Sequence, residues 1–367
     1  MKINLTVRSL QIPFRQSFKH ASAERKTTQT IWVEAISTSG VCGFGEGCPR
    51  EYVTGESVTG AMAFISRVTP QLTGISDLAG LAGWVEENRE LIDANPAAWC
   101  AVELAIIDLL ARESNQPAES FLSLPPIQGP FRYTAVLGAE APPVFRSQLE
   151  KYLAMGFRDF KVKLSGGPED FERMALLRSA SPSVDRLRMD GNNLWQSSDD
   201  AIAHLERLDV PMFAIEEPLA AGDYEEAGRI AKETGLKIIL DESLLRLSQL
   251  EQLPGDPGNW IMNLRISKMG GLLRSLEMAE RAASMRIPMI IGCQVGETSL
   301  LTRAALPVAQ AFMKENLLAQ EGAFGTLLLS QDVVAPPLMF GERGLLEIGA
   351  SGFSKAAGFG LEPRGLA

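Results

Sequence analysis

Phe160-Lys-Val-Lys163, Arg188-Met-Asp-Gly-Asn-Asn193, Ile215-Glu-Glu-Pro218, Leu240-Asp-Glu-Ser243 and Arg265-Ile-Ser-Lys-Met-Gly-Gly271 form a ladder in which each rung closes a short apolar run with charge. Lys163, Asp190, Glu216, Asp241 and Lys268 follow one another at intervals of 25 to 27 residues. One strand, one helix and two short connections take roughly 30 residues, so the interval is that of successive βα units. If such units close into a barrel, their equivalent points meet at the C-terminal face, where active sites are built. Period-two alternation decides which side chains enter. In 160–164, Lys161 and Lys163 share the inward face, while Phe160, Val162 and Leu164 share the face that meets helices. The same parity turns Glu216 and Asp241 inward and Phe213, Ile215, Ile238 and Leu240 outward.

The 367 residues suffice for one large domain and a smaller one. With 46% hydrophobic and 22% charged residues the chain reads as globular and water-soluble. A formal charge of −10 argues against nucleic acid, whose phosphates select a basic face. Cys42, Cys48, Cys100 and Cys293 lack zinc-type spacing and read as buried reduced thiols of a cytoplasmic protein. No basic-plus-apolar leader and no apolar run of about 18 residues appears, so neither export nor a membrane is expected.

Residues 2–12 and 29–38 alternate apolar and polar, and a turn at Ser39-Gly40 leads into a third strand at 41–46, an antiparallel meander. Between the first two, 15–28 is polar and aperiodic and reads as a long loop; 47–57 reads as a second irregular stretch. Helical patterns cover 57–71, 77–92 and 96–113. Pro125-Pro126 and Gly129-Pro130 mark a boundary. The division expected is 1–128 as an α+β domain, 129–334 as the barrel and 335–367 as a segment returning to the first domain. Barrel strands are placed near 132–138, 158–164, 185–190, 212–216, 237–241, 260–265, 288–293 and 318–323, with helices between them. An open doubly wound sheet is the rival, but no Gly-rich phosphate turn follows its first strand.

Asp190, Glu216 and Asp241 are three carboxylates at three successive strand ends. Converging carboxylates repel and raise one another's pKa. A hard divalent cation resolves this, and Mg²⁺, with Mn²⁺ able to substitute, favours such oxygens. Glu217 and Glu242 adjoin two of them and could replace a neighbour as ligand, but parity favours Glu216 and Asp241. Lys163 and Lys268 stand on strands two and six, opposite each other in an eight-strand ring. Lysines near other cations can act as bases near neutrality, and Lys161 would touch the substrate carboxylate or Lys163. His20 and His204 are the two histidines, neither at a strand end, so a histidine base is not expected.

These motifs together resemble the enolase superfamily, specifically its muconate-lactonising (muconate cycloisomerase-like) subgroup. Val41-Cys-Gly-Phe-Gly-Glu46 is similar to its capping-domain strand and Ala101-Val-Glu-Leu-Ala-Ile-Ile-Asp108 to the helix leading into the barrel. The resemblance implies a (β/α)₇β modified TIM barrel with an N-terminal α+β capping domain, and Mg²⁺ on Asp190, Glu216 and Asp241. It implies Lys163 and Lys268 as acid/base pair, a pairing that general accounts of the superfamily share. Lys161, Asn192, Glu321 and Arg25 would contact a small carboxylate substrate, with Glu217, Glu242 and Arg265 behind them and the 15–28 and 47–57 loops closing the site. A homo-oligomer, dimer or octamer, is implied too. The reaction expected is α-proton abstraction to an enediolate by a cycloisomerase or a racemase/epimerase, with o-succinylbenzoate synthase, N-acylamino acid racemase or dipeptide epimerase as alternatives. No Asp-x-Asp follows the eighth strand; Glu321 with Phe324-Gly325 is closer to the cycloisomerase pattern. The segment Gly292-Cys-Gln-Val-Gly-Glu-Thr-Ser299 is one residue longer than usual, and Arg265 stands where many members have lysine. A non-catalytic carboxylate-binding protein on the same scaffold is the reading of another class, and five inward charges argue against it.

Overall fold

The fold was described from a computed structural model covering residues 3–20, 23–180, 184–314, 316–348 and 352–364. Asn4–Leu10, Thr30–Ile36 and Cys42–Gly47 form a three-stranded antiparallel sheet in that order. Gly43, Gly45 and Gly47 occupy alternate positions of the third strand and leave one face bare. The 18-residue helix Pro96–Glu113 lies directly on it: a Cβ on Gly45 would stand 1.9 Å from the Ala101 carbonyl oxygen, and one on Gly47 2.0 Å from that of Ala97. The helix is buried along almost its whole length, and the cap owes its thin, close-packed core to those glycines.

The reading of 15–28 as a loop is corrected. Pro13–His20 and Ala23–Thr27 pair as an antiparallel hairpin. Its sequence carries too few apolar residues to register a period of two, so the strands have no hydrophobic signature. Within 47–57 a single turn of helix, Glu51–Thr54, has formed.

Eight parallel strands follow in sequence order: Ala135–Leu137, Asp159–Lys163, Arg186–Asp190, Ala214–Glu216, Lys237–Leu240, Trp260–Leu264, Met289–Ile291 and Leu317–Gln320. The Thr134 N–H donates to the Gln320 carbonyl at 2.7 Å and joins the two outer strands. Helices alternate with the strands, the fifth connection having only the four-residue Leu247–Leu250, so the architecture is (β/α)₇β with an α+β cap. Ala214, Ile239, Ile261, Ile290 and Ala319 fill the interior, while Phe160, Val162, Ile215, Ile238 and Leu240 face the helices. Phe213 departs from its expected outward position: it packs on the interior cluster under the Arg186 guanidinium, 4.8 Å from its ring centre. Phe213 precedes the strand, where parity no longer holds.

The closing segment returns to the cap. The Phe359 N–H donates to Asp108 and the Ala118 N–H to the Gly358 carbonyl. All four cysteines are free; Cys48 and Cys100 are buried, Cys42 and Cys293 only partly. Among the described residues no helix is long and apolar enough to cross a membrane.

Candidate active site

Strand register sets the first row of the site. Lys163 pairs with Asp190 and Asp190 with Glu216, so the ends of strands two, three and four stand level. Glu216 pairs with Ile239, which puts Asp241 one inward step higher. A cavity of about 270 Å³ opens above them, lined by Lys161, Lys163, Asp190, Glu216 and Asp241 among others.

Lys161 is buried among acids: its Nζ lies 2.8 Å from Glu216 Oε2, 3.1 Å from Asp190 Oδ2 and 3.1 Å from Glu321 Oε2. Burial opposes its charge, but Asp190, Glu216 and Glu321 outweigh burial and hold the ammonium charged, well above the usual lysine range. Lys163 donates to Asn192 Oδ1 at 3.0 Å and to Asp190 Oδ2 at 3.2 Å. Glu216 is pushed up to about 8 by burial and by the charges of Asp190, Glu321 and Asp241, against the pull of Lys161. Asp190 is held below the carboxylate range: burial is overcome by Lys161 and Lys163.

Glu217 adopts a positive φ of 39° that turns its side chain away from the cavity. Its carboxylate accepts the Asp241 N–H at 2.5 Å, the Ser243 N–H at 2.8 Å and the Ser243 hydroxyl at 2.7 Å, anchoring the end of strand five. Glu242 lines the cavity mouth.

Lys268 sits on a four-residue helix, Ile266–Met269, that follows strand six. It is 1% exposed, donates to the Asp241 and Asn263 carbonyls at 2.8 and 2.7 Å and to Asp241 Oδ1 at 3.0 Å, and is not among the cavity walls. Burial lowers its pKa, Arg265 adds to this, and Asp241 opposes. Arg265, expected behind the ligands, instead lines the cavity and pairs directly with Asp241 Oδ2. Strand six ends at Leu264, so Arg265 leaves the sheet and turns over its rim.

Asn192 and Glu321 line the cavity as well. Arg25 does not: it donates to Gln29 Oε1 at 2.7 Å and stacks on Tyr52, 5.5 Å from the ring centre, and Tyr52 is the wall. His204 is not among the cavity walls and is bound to Asp170 at 3.1 Å; the His20 side chain lies outside the described side chains. The outer wall went unread in the sequence. Gln148, Lys151, Tyr152 and Met155 line it from one face of helix Pro142–Ala154 and its C-terminal end, and their spacing of i, i+3, i+4, i+7 is the signal that marks this face in the sequence. Glu140 and Gln294 complete it.

Whether the residues fit a divalent cation follows from their charges. Six carboxylates and four cationic side chains line the cavity. The excess of acid, and the upward push on Glu216, are what a hard dication would relieve, and the oxygen donors suit it. As the side chains stand, no group of three or more His, Cys, Asp or Glu among the described residues is gathered to hold a metal. Lys161 stands between Asp190 and Glu216, and Arg265 between Glu216 and Asp241, in the places of the charge that is needed.

Similarity to known proteins covers both parts of the chain. Residues 2–122 match the mandelate racemase/muconate lactonizing enzyme N-terminal domain, and 144–366 match the family described as enolase C-terminal domain-like. A hydrophobic dipeptide epimerase of Enterococcus faecalis is 26% identical over 98% of this chain and 99% of its own. An N-succinyl-L-Arg/Lys racemase of Bacillus cereus is 25% identical over 89% and 87%. The crystal structure of the dipeptide epimerase of E. faecalis with Mg and L-Leu-L-Tyr superposes with a TM-score of 0.84, at 25% identity, over 99% of this chain and 100% of that one. With both of its parts matched and the barrel and cap in place, the chain belongs to the mandelate racemase/muconate lactonizing family of the enolase superfamily.

Proposed function

We propose that the protein is a Mg²⁺-dependent racemase or epimerase that removes and returns the proton α to the carboxylate of a small substrate. The observation that carries this is the placement of Lys163 on Asp190 and Lys268 on Asp241, two ammonium groups from barrel strand two and the turn after strand six, on either side of one acidic cluster. Asp190, Glu216 and Asp241 would hold the metal, which when bound would supply positive charge to stabilise the negative charge that builds on the substrate carboxylate as the α-proton leaves.

The chain's own groups do the rest. One of Lys163 and Lys268, unprotonated, takes the α-proton; the other, protonated, delivers one to the opposite face. Burial favours the neutral form of Lys268, which suits it to the first role in one direction and the second in the other. Lys161, held charged by its three acids, keeps positive potential beside the substrate carboxylate. Residues 1–128 act in this reading as the cap over the barrel of 129–334, with 335–367 tying the two together.

Two substrate classes are distinguished by where a second polar group would go. Glu321 is already neutralised by Lys161 at 3.1 Å and Arg188 at 2.7 Å, and the residue two positions on is the uncharged Ala323, which supports an N-acylated amino acid without a free ammonium. Glu140 lines the outer wall without an ion pair among the described residues, which supports a dipeptide whose ammonium reaches it. Incubation in D₂O with Mg²⁺ and a panel of N-acyl amino acids, dipeptides and cis,cis-muconate, followed by ¹H NMR, tests both. Deuterium at an α-carbon is expected from one of the first two classes; silence across the panel from protein with bound metal would contradict the reading.

A further inference from the structure

The acid/base scheme gives Arg265 no task, although it lines the cavity beside the carboxylates assigned to the metal. Its Nη2 lies against Asp241 Oδ2 and 3.8 Å from Glu216 Oε1, and its Nη1 donates to Gln294 Oε1 at 3.1 Å. It therefore stands in front of two of the three carboxylates assigned to the metal. On this side of the cavity the wall is Arg265, while Lys268 lies outside the wall with its donors engaged. The Arg265 Nε is buried without a partner, so the present pose leaves one of its donors unmet.

A second pose is available nearby. Glu242 follows Asp241 in sequence, lines the same cavity and carries no ion pair among the described residues. Of the acids acting on the Arg265 charge, Asp241 comes first, Glu242 second and Glu216 third. The guanidinium borders open cavity into which it can turn. A dication and a guanidinium cannot share Asp241 in a poorly solvated site, because like charges repel strongly there.

We propose that Arg265 is a positioning residue with two seats: on Asp241 it closes the metal site, and on Glu242 it frees Asp241 for the metal and uncovers Lys268. This rests on Asp190, Glu216 and Asp241 being the metal ligands. Metal affinity is then reduced by the fraction of molecules in the closed pose. A lysine at this position carries one compact ammonium and cannot bridge Asp241 and Gln294 as a planar fork does.

Mn²⁺ alone, followed by electron paramagnetic resonance on the full chain, reads the closed fraction without any substrate. Arg265→Met is expected to bind Mn²⁺ about tenfold more tightly than the natural protein, with Arg265→Lys between the two; the lysine variant carries the test should the methionine variant not fold. Glu242→Gln weakens Mn²⁺ binding several-fold when Arg265 is present, and clearly less in the Arg265→Met background, since the second seat matters only to an arginine. Affinity unchanged or weaker in folded Arg265→Met overturns the proposal. If Asp190→Asn abolishes binding while Arg265→Met leaves it unchanged, the metal ligands stand and the role of Arg265 falls. Mn²⁺ bound by none of these proteins overturns both.

Discussion

Lys161 and Lys163 are two residues apart on one strand, yet their surroundings assign them different work. Lys161 is enclosed by three carboxylates, and Lys163, partly exposed, meets one carboxylate and one amide. Removing the buried partner leaves acids uncompensated, and breaking such a network costs about 3–5 kcal/mol. Lys161→Met is therefore expected to melt well below the natural protein without metal, and to recover more than the natural protein does on adding Mg²⁺. Thermal melting with and without Mg²⁺ checks this; equal gains in both proteins would contradict it. Parity along the strands made Lys161, Lys163, Glu216 and Asp241 legible in the sequence, because alternation fixes which face a residue takes. It does not fix how far along the axis a side chain reaches past the sheet. Arg265, one residue beyond strand six, and Arg25, whose reach depends on the fold of a hairpin, lie outside what alternation fixes: the first lines the cavity and the second stacks on Tyr52.

At the level of elements, carboxylates plug the N-termini of helices at the seam of cap and barrel. Glu46, on the third cap strand, accepts the Thr298 N–H at 3.0 Å, the Thr298 hydroxyl at 2.6 Å and the Leu301 N–H at 3.3 Å at the start of helix Ser299–Phe312. Glu103, on the cap helix, accepts the Leu273 N–H at 3.0 Å at the start of helix Leu272–Ser284. Such N-termini favour negative charge, but burial pushes Glu46 up to about 8 and Glu103 to about 7 against the donors' pull. The folded chain then keeps protons that the unfolded chain has released near its ordinary value, so stability falls as pH rises from about 5 toward 8. The melting temperature should decline over that window, and Glu46→Gln should flatten the decline; an equal slope in both proteins would contradict the assignment. Gly45→Ala would set a Cβ against the Ala101 carbonyl, and overpacking against backbone is expected to cost more than ~3 kcal/mol, read as lost cooperative melting or insoluble expression. The strand at 41–46 is legible in the sequence; the 13–27 hairpin is not, for want of apolar alternation.

For the whole molecule, the barrel was legible because its signal repeats: apolar runs closed by charge at near-constant intervals leave few topologies, and right-handed βα crossovers remove most of the rest. The outer half of the cavity was not, since it is assembled from a helix face, the Tyr52 segment and the residues after strand eight, none of which is periodic with the ladder. The central claim is that Lys163 and Lys268 exchange the α-proton on opposite faces of a substrate bound beside Asp190, Glu216 and Asp241. Its most direct test is α-proton exchange in D₂O by Lys163→Ala and Lys268→Ala, with Mn²⁺ binding measured on the same samples. Both variants are expected to bind Mn²⁺ and to lose interconversion of the stereoisomers by at least about 100-fold, the scale of a general acid–base contribution. Full interconversion by either variant would contradict the account.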